Sequence, residues 1–275
     1  MILFFRTLIA KSFRFLFTIP LFKKYYFAFY TYIFKPTDLF KNVIQLVNID
    51  AIKFKLHIDD WIQQNLYFLN KYEKIELDFL KKRVKEGSVF VDIGANIGLF
   101  SLTASKLVGN KGSVISFEPF SKNYDSLHTN ISLNGFTNIK IEQVAIGDTI
   151  ENTTLYYNEK EKNFGMVSMN ETDYSTKEKT TVITLDSYVT KNKIDAIDFI
   201  KIDIEGNEFS ALNGMKTVLT NLNPILLIEI LTDIELKQIV PYLKSFGYKK
   251  YYLTDNSEVS EINTNLKRKN YIFKK

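Results

Sequence analysis

No cysteine occurs in the 275 residues, and there are only two histidines and one tryptophan. The first absence excludes a disulfide framework and any thiolate metal site, and it fits a reducing compartment, the cytoplasm. With His57 and His128 as the only imidazoles, neither a histidine-based triad nor a multi-histidine metal centre is expected. Long apolar runs are missing too. The longest uncharged stretches of the N-terminal arm, Phe15–Phe22 and Tyr25–Phe34, hold eight and ten residues, where a spanning helix needs about 20. A secretory leader fits poorly, because cations punctuate the arm and no small-residue cleavage site follows it. Acidic residues are also absent before Asp38.

What is present is an ordinary globular composition, 45% apolar and 24% charged, enough for one large domain or a medium domain with an extension. The net charge of +5 is unevenly spread. Arg6, Lys11, Arg14, Lys23, Lys24 and Lys35 give residues 1–37 a charge of +6, which leaves the rest near −1. The basic character is therefore local and does not mark a nucleic-acid-binding body. Two readings of the aromatic, cationic arm stay open. It can lie in the headgroup region of an anionic membrane, as a peripheral contact at its inner face, or form a pair of helices packed on the domain with their cations turned outward. The main boundary is placed near residue 72, with the extension and pre-domain elements over 1–72 and the main domain over 73–275.

Past that boundary strands and helices alternate. The apolar run Val89–Ile93 suits a buried parallel strand, and a helix over Leu99–Leu107 follows it. Ser113–Phe117, Ile139–Val144, Phe199–Ile204 and Ile225–Ile230 read as further strands, with helices over Ser121–Leu133, Glu208–Leu219 and 235–246. Residues 151–185 break the rhythm as a polar, strand-rich excursion, and Lys249–Leu253 with Tyr271–Phe273 reads as a terminal strand pair. The pattern predicts a Rossmann-like α/β fold, with a doubly wound, mainly parallel sheet, an antiparallel C-terminal strand and a helical N-terminal extension.

The sharpest motif is Asp92-Ile-Gly94-Ala95-Asn96-Ile-Gly98, between the first buried strand and its helix. Glycine at 94 and 98, and asparagine at 96, permit a left-handed turn that a ligand can approach closely. The nicotinamide fingerprint would need glycine at 94, 96 and 99, and only 94 has it. Glu118, at the tip of the second strand, can accept hydrogen bonds from an adenosine ribose.

VFVDIGANIGLFSL, ISFEP, VAIGD, TLDSY, FIKIDIEGNE, PILLIEI and NYIF, in that order, resemble the FkbM-type methyltransferase family from about residue 55 to 273. The resemblance implies S-adenosylmethionine as cofactor and methylation of a hydroxyl on a sugar, glycan or related small-molecule acceptor. It places Asp92 near the methionine end, Gly94, Ala95, Asn96 and Gly98 in the backbone cradle, and Glu118 on the ribose. Pro119 and the Ala145 turn would then lie near the adenine, and Glu73 in a pre-strand segment that caps the site.

Transfer to an alcohol needs near-attack alignment and a group that takes the proton. Lys201, Asp203 and Glu205 alternate on one strand opposite Ile200, Ile202 and Ile204, so the three charges fall on one side. Asp203 is the first candidate for the acceptor or its base and Glu205 the second, while a Lys201–Asp203 structural ion pair is the alternative. A magnesium ion between Asp203 and Glu229 is a minor variant with no third ligand in view, so the expectation is a site without metal. Two readings from other classes compete. One is a nicotinamide oxidoreductase, disfavoured by Asn96 and Leu99; the other is a catalytically silent fold acting through the arm.

Overall fold

The computed structural model describes residues 1–158, 165, 167–169, 176–262 and 269–275. The chain forms two compact units, Met1–Lys74 with Asn158–Gly165, and Ile75–Tyr157 with Met166–Lys275.

In the first unit, a helix over Ile2–Leu16 and short helical turns to Thr37 precede a hairpin of β1 (Ile44–Ile49) and β2 (Ile52–His57), followed by a helix over Trp61–Leu69. The hairpin turns on Asp50 and Ala51, both with positive φ. Aromatic rings make the core. Phe17, Tyr26, Phe34, Phe40 and Phe68 are all buried. Phe17 stands edge-on to Phe68 at 5.7 Å, and Phe34 stacks on it at 5.6 Å. Asp60 caps the last helix through the amide of Gln63. Much of the arm is thus structural, within its own unit. Phe17→Ala should lower the stability of this unit by about 3–5 kcal/mol, the usual range for a buried phenylalanine. Trp61, the sole tryptophan, contacts Tyr30 and Phe27 within the same unit, so its emission during denaturation measures the loss.

The second unit is a doubly wound α/β domain. Its strands are β3 (Val89–Ile93), β4 (Ser113–Phe117), β5 (Ile139–Glu142), β6 (Ala145–Ile146), β7 (Glu151–Tyr157), β8 (Thr176–Ile183), β9 (Phe199–Ile202), β10 (Ile225–Glu229), β11 (Lys249–Leu253), β12 (Val259–Ser260) and β13 (Asn270–Lys274). The main sheet runs β12-β11-β13-β10-β9-β3-β4-β5. Its strands from β10 to β5 are parallel, and β13, β11 and β12 close the other edge antiparallel. From β3 the chain builds outward through β4 to β5, then returns to the other side of β3 as β9. This reversal leaves a crevice at the carboxyl ends of β3 and β9, where ligands of such sheets bind.

Side-chain alternation buries both faces. Val91, Ile93, Ile200, Ile202, Leu226 and Ile228 belong to one apolar cluster, with residues of the helices Leu185–Asn192 and Asp233–Ser245. Phe90, Val114, Phe199 and Leu227 belong to the other, with Phe79, Phe100 and Ala104 from Lys74–Arg83 and Leu99–Val108.

Three sequence expectations change. The strand expected over Ile139–Val144 stops at Glu142, and Ala145–Ile146, read as the start of a turn, is a strand paired in parallel with β8. The strand read as Phe199–Ile204 ends at Ile202. The helix read as Glu208–Leu219 is two helices, Glu208–Asn213 and Lys216–Asn221. The break has a steric cause: a Cβ on Gly214 would lie 1.8 Å from the carbonyl oxygen of Gly147, so two backbones meet where no side chain fits. Asp186 then accepts from the amides of Thr217 and Val218, capping the second helix. The excursion forms its own sheet, β6-β8-β7, and only part of the stretch 158–175 lies among the described residues. It is tied down beside the break, where Ser210 Oγ accepts from the amide of Asp148 at 3.1 Å.

Candidate active site

The turn after β3 has the left-handed backbone its residue types allow, with φ of 83° at Gly94, 51° at Asn96 and 94° at Gly98. The amides of Gly94 and Ala95 both donate to the Phe117 carbonyl at the end of β4. The reason for glycine, however, lies inside the protein. A Cβ on Gly94 would sit 1.9 Å from the Asp203 carbonyl oxygen, and one on Gly98 would strike Leu102 and Leu127. Gly94 thereby lets the ends of β3 and β9 approach, and the Asp203 amide donates to Ile93 at 3.1 Å.

Glu118 holds this turn from the tip of β4. Its Oε2 accepts from the Asn96 amide at 2.7 Å and its Oε1 from the Phe120 amide at 3.0 Å. Burial raises its pKa to about 7 against those two bonds. Pro119 follows, partly buried. Asp92 is fully buried. Its Oδ2 accepts from Ser101 at 2.5 Å, Ser101 accepts from Ser116, and Oδ1 has no hydrogen-bond partner among the described residues. Burial, opposed by Lys201 and the Ser101 bond, pushes Asp92 above the usual carboxylate range.

Lys201 is register-paired with Asp92 across β3 and β9, and its ammonium lies 2.9 Å from Asp203 Oδ2 and over the Phe100 ring. The sequence alternative of an ion pair is therefore formed, and Lys201 acts on whatever Asp203 does. Burial alone would raise Asp203, but the Lys201 charge, with hydrogen bonds from Glu229 and Lys201, holds it below the usual range. Glu205 moves the other way, to about 7, through burial and the negative charges of Asp203 and Glu208. It does not open the helix; it stands in the preceding loop with a left-handed φ of 54°, before Gly206 at 93°. A non-glycine residue there costs on the order of 1–3 kcal/mol and persists only where its surroundings enforce it.

Two residues that the sequence reading passed over do so. Glu208 Oε1 accepts from the amides of Ile204 and Gly206, spanning the strained position. Ser168, bridged to Tyr156 of β7, donates to the Glu205 carbonyl at 3.1 Å. The Glu-Gly-Asn-Glu run carried a usable signal for Glu208, a carboxylate just past a glycine turn; nothing local marked Ser168.

The carboxylates of Asp203, Glu205 and Glu229 can each bring an oxygen within 4.8 Å of the others. Glu205 is the third carboxylate that the magnesium variant lacked in sequence, although an acidic group of this kind needs no ion to exist. Ala145 is buried in β6. Glu73 belongs to the first unit, with a φ of 45° at the foot of the helix Lys74–Arg83. His128 is exposed on the helix Ser121–Asn134 and joins none of these groups.

A strand switch point, a left-handed turn and an acid on the next strand tip define a Rossmann-like domain that takes its ligand at the carboxyl edge of the sheet. The chain belongs to the FkbM methyltransferase domain family, whose profile matches residues 92–272. Similar solved structures include an FkbM methyltransferase from Methylobacillus flagellatus KT, at 19% identity over 78% of this chain and 55% of that one, with a TM-score of 0.49. A putative rRNA methylase from Clostridium thermocellum matches at 13% identity over 72% of this chain and 90% of that one, TM-score 0.46. Aeropyrum pernix fibrillarin, solved with natively bound S-adenosyl-L-methionine, matches at 12% over 84% and 81%, TM-score 0.45. No curated protein sequence matches the chain significantly.

Proposed function

We propose that the protein is an S-adenosylmethionine-dependent O-methyltransferase acting on a hydroxyl of a sugar, glycan or related metabolite. The observation that carries the reading is the pair Asp203 and Glu205, two residues apart in one loop beside the glycine turn, with pKa values displaced in opposite directions. Such divergence separates an ionised anchor from a group poised to exchange a proton near neutral pH.

The residues fit this cofactor. Among the described residues Asp92 Oδ1 is a buried acceptor without a hydrogen-bond partner, as an ammonium group would require. Glu118, held at the tip of β4 by the Asn96 and Phe120 amides and by the Asn123 side chain, is an acid placed where a strand-tip carboxylate can accept from vicinal ribose hydroxyls. Asp92, Glu118 and the turn from Gly94 to Gly98 would hold it, and once bound it supplies an electrophilic methyl group. The chain's own carboxylates serve the acceptor. Asp203, kept anionic by Lys201, accepts a hydrogen bond from an acceptor hydroxyl and orients it. Glu205 takes the proton of the reacting hydroxyl on a carboxylate oxygen, because its pKa of about 7 suits a base at neutral pH. On this reading Glu205 comes before Asp203 as the base, the reverse of the order expected from sequence.

Calorimetry with adenosylmethionine tests the binding half. Glu118 accepts better when ionised, so affinity should rise as the pH climbs through about 7. Glu118→Gln should weaken binding by about 1.5–3 kcal/mol, as expected for hydrogen bonds to a charged group, and flatten the profile. Tighter binding of a nicotinamide dinucleotide than of adenosylmethionine would overturn the cofactor assignment. Screening hydroxylated sugars for methyl transfer tests the acceptor; transfer confined to nitrogen or carbon acceptors would overturn it.

A further inference from the structure

The helix Ile2–Leu16 is apolar on two opposite faces. One supplies Ala10 to the first unit's core and leads into Phe17, and both are buried. The other carries Phe4, Leu8, Lys11 and Phe15 at helical spacing, with Phe4 68%, Leu8 52% and Phe15 73% exposed. A helix that merely covers a core is polar on its outer side. The same segment leaves Leu21, Phe27 and Tyr32 exposed as well. Lys11 shares this helix face by its spacing, Lys24 is exposed over the Tyr25 ring, and residues 1–37 hold six cations and no acid.

We propose that this outer face docks on an anionic lipid bilayer. The helix would lie in the interface, with Phe4, Leu8 and Phe15 in the boundary between headgroups and acyl chains and Lys11 and Lys24 against the lipid anions. No described helix is long and apolar enough to cross a membrane, whereas an in-plane helix needs only an apolar face and cations. Charge decides the partner. A second copy would set another cationic, acid-free segment against this one, and a polyanion without lipid would leave Leu8 and the phenyl rings in water. The inner face then serves the core of the first unit and the outer face the membrane.

The test uses the full chain with vesicles of phosphatidylcholine alone and of phosphatidylcholine with phosphatidylserine. Cosedimentation should occur with the anionic vesicles and weaken between low and physiological salt, because the attraction is screened over about 8–10 Å. The triple variant Phe4→Ala, Leu8→Ala, Phe15→Ala should bind about tenfold more weakly or worse, given three lost apolar side chains. Its Trp61 emission and denaturation midpoint should not change. Phe15→Ala alone, at the most exposed of the three positions, gives the same direction of change should the triple variant fold poorly. Absence of wild-type binding to anionic vesicles, or equal binding by the variants, would overturn the proposal. So would a lipid-free dimer that the triple variant dissolves, which would assign the face to a second copy. None of these readouts depends on methyl transfer.

Discussion

Replacing Gly94 with valine is expected to abolish both adenosylmethionine binding and turnover and to destabilise the second unit. The reason differs from the one that the motif suggests. A ligand approaching the turn asks only that its surface be open, whereas a β-carbon added at this position would lie 1.9 Å from the Asp203 carbonyl oxygen, a backbone atom that cannot rotate away. The φ of 83° adds strain for any branched residue. Relief requires the ends of β3 and β9 to part. That would break the hydrogen bond from the Asp203 amide to Ile93 and shift the two carboxylates of the loop. Calorimetry should show no measurable heat of binding, and thermal melting should show a lower midpoint. Gly94→Ala should do the same to a smaller degree. Loss of binding with an unchanged melting curve would mean that the glycine serves the ligand alone.

The second large effect is expected from Glu205→Gln, which should lower kcat by about 10²–10⁴-fold, the range for a lost general base, with little change in adenosylmethionine affinity. In the unaltered protein kcat should rise with pH and level off above about 7, because Glu205 is raised to about that value by burial and by the charges of Asp203 and Glu208. The sign follows from the acid's role: protonated below 7 it cannot accept the hydroxyl proton. The variant's residual activity should lack this inflection. Asp203→Asn gives a contrast. It removes the anion that Lys201 holds and should raise the acceptor KM more than it lowers kcat. Loss of activity on chelation, restored by magnesium, would move all three carboxylates to a metal role. Equal kcat in Glu205→Gln and the parent would remove Glu205 from the chemistry.

Most of the parallel sheet was legible because its strands are short apolar runs between strong breakers. Val89–Ile93 and Ser113–Phe117 were located to the residue. The left-handed turn was legible because Gly and Asn at fixed spacing are among the few residues that adopt it. What escaped depends on distant contacts. The helix break at Gly214 follows from Gly147, 67 positions earlier, and periodicity within the helix carries no trace of it. The different surroundings of Asp203 and Glu205 were likewise hidden, since alternation puts both on one side, whereas in the structure the Lys201 ammonium stands 2.9 Å from Asp203 and Glu205 feels burial and the charges of Asp203 and Glu208. The arm was ambiguous for another reason: its aromatic residues serve a core on one face and remain open on the other, and composition alone cannot divide them.

The meeting of Gly147 and Gly214 also bears on how the acceptor range could be altered. Neither backbone leaves room for a side chain to act as a hinge or spacer, and Asp148 is fixed to Ser210 beside it. Together with the bridge from Tyr156 to Ser168 and on to the Glu205 carbonyl, this makes the small sheet a fixed rim of the loop that carries Glu205. Under the proposed methyl transfer, a rim held in that way would select an acceptor by the shape and polarity of its side chains. Exchanging β7 and β8 as one block, with both glycines kept, is then the route by which acceptor preference could be transplanted without disturbing the chemistry beneath.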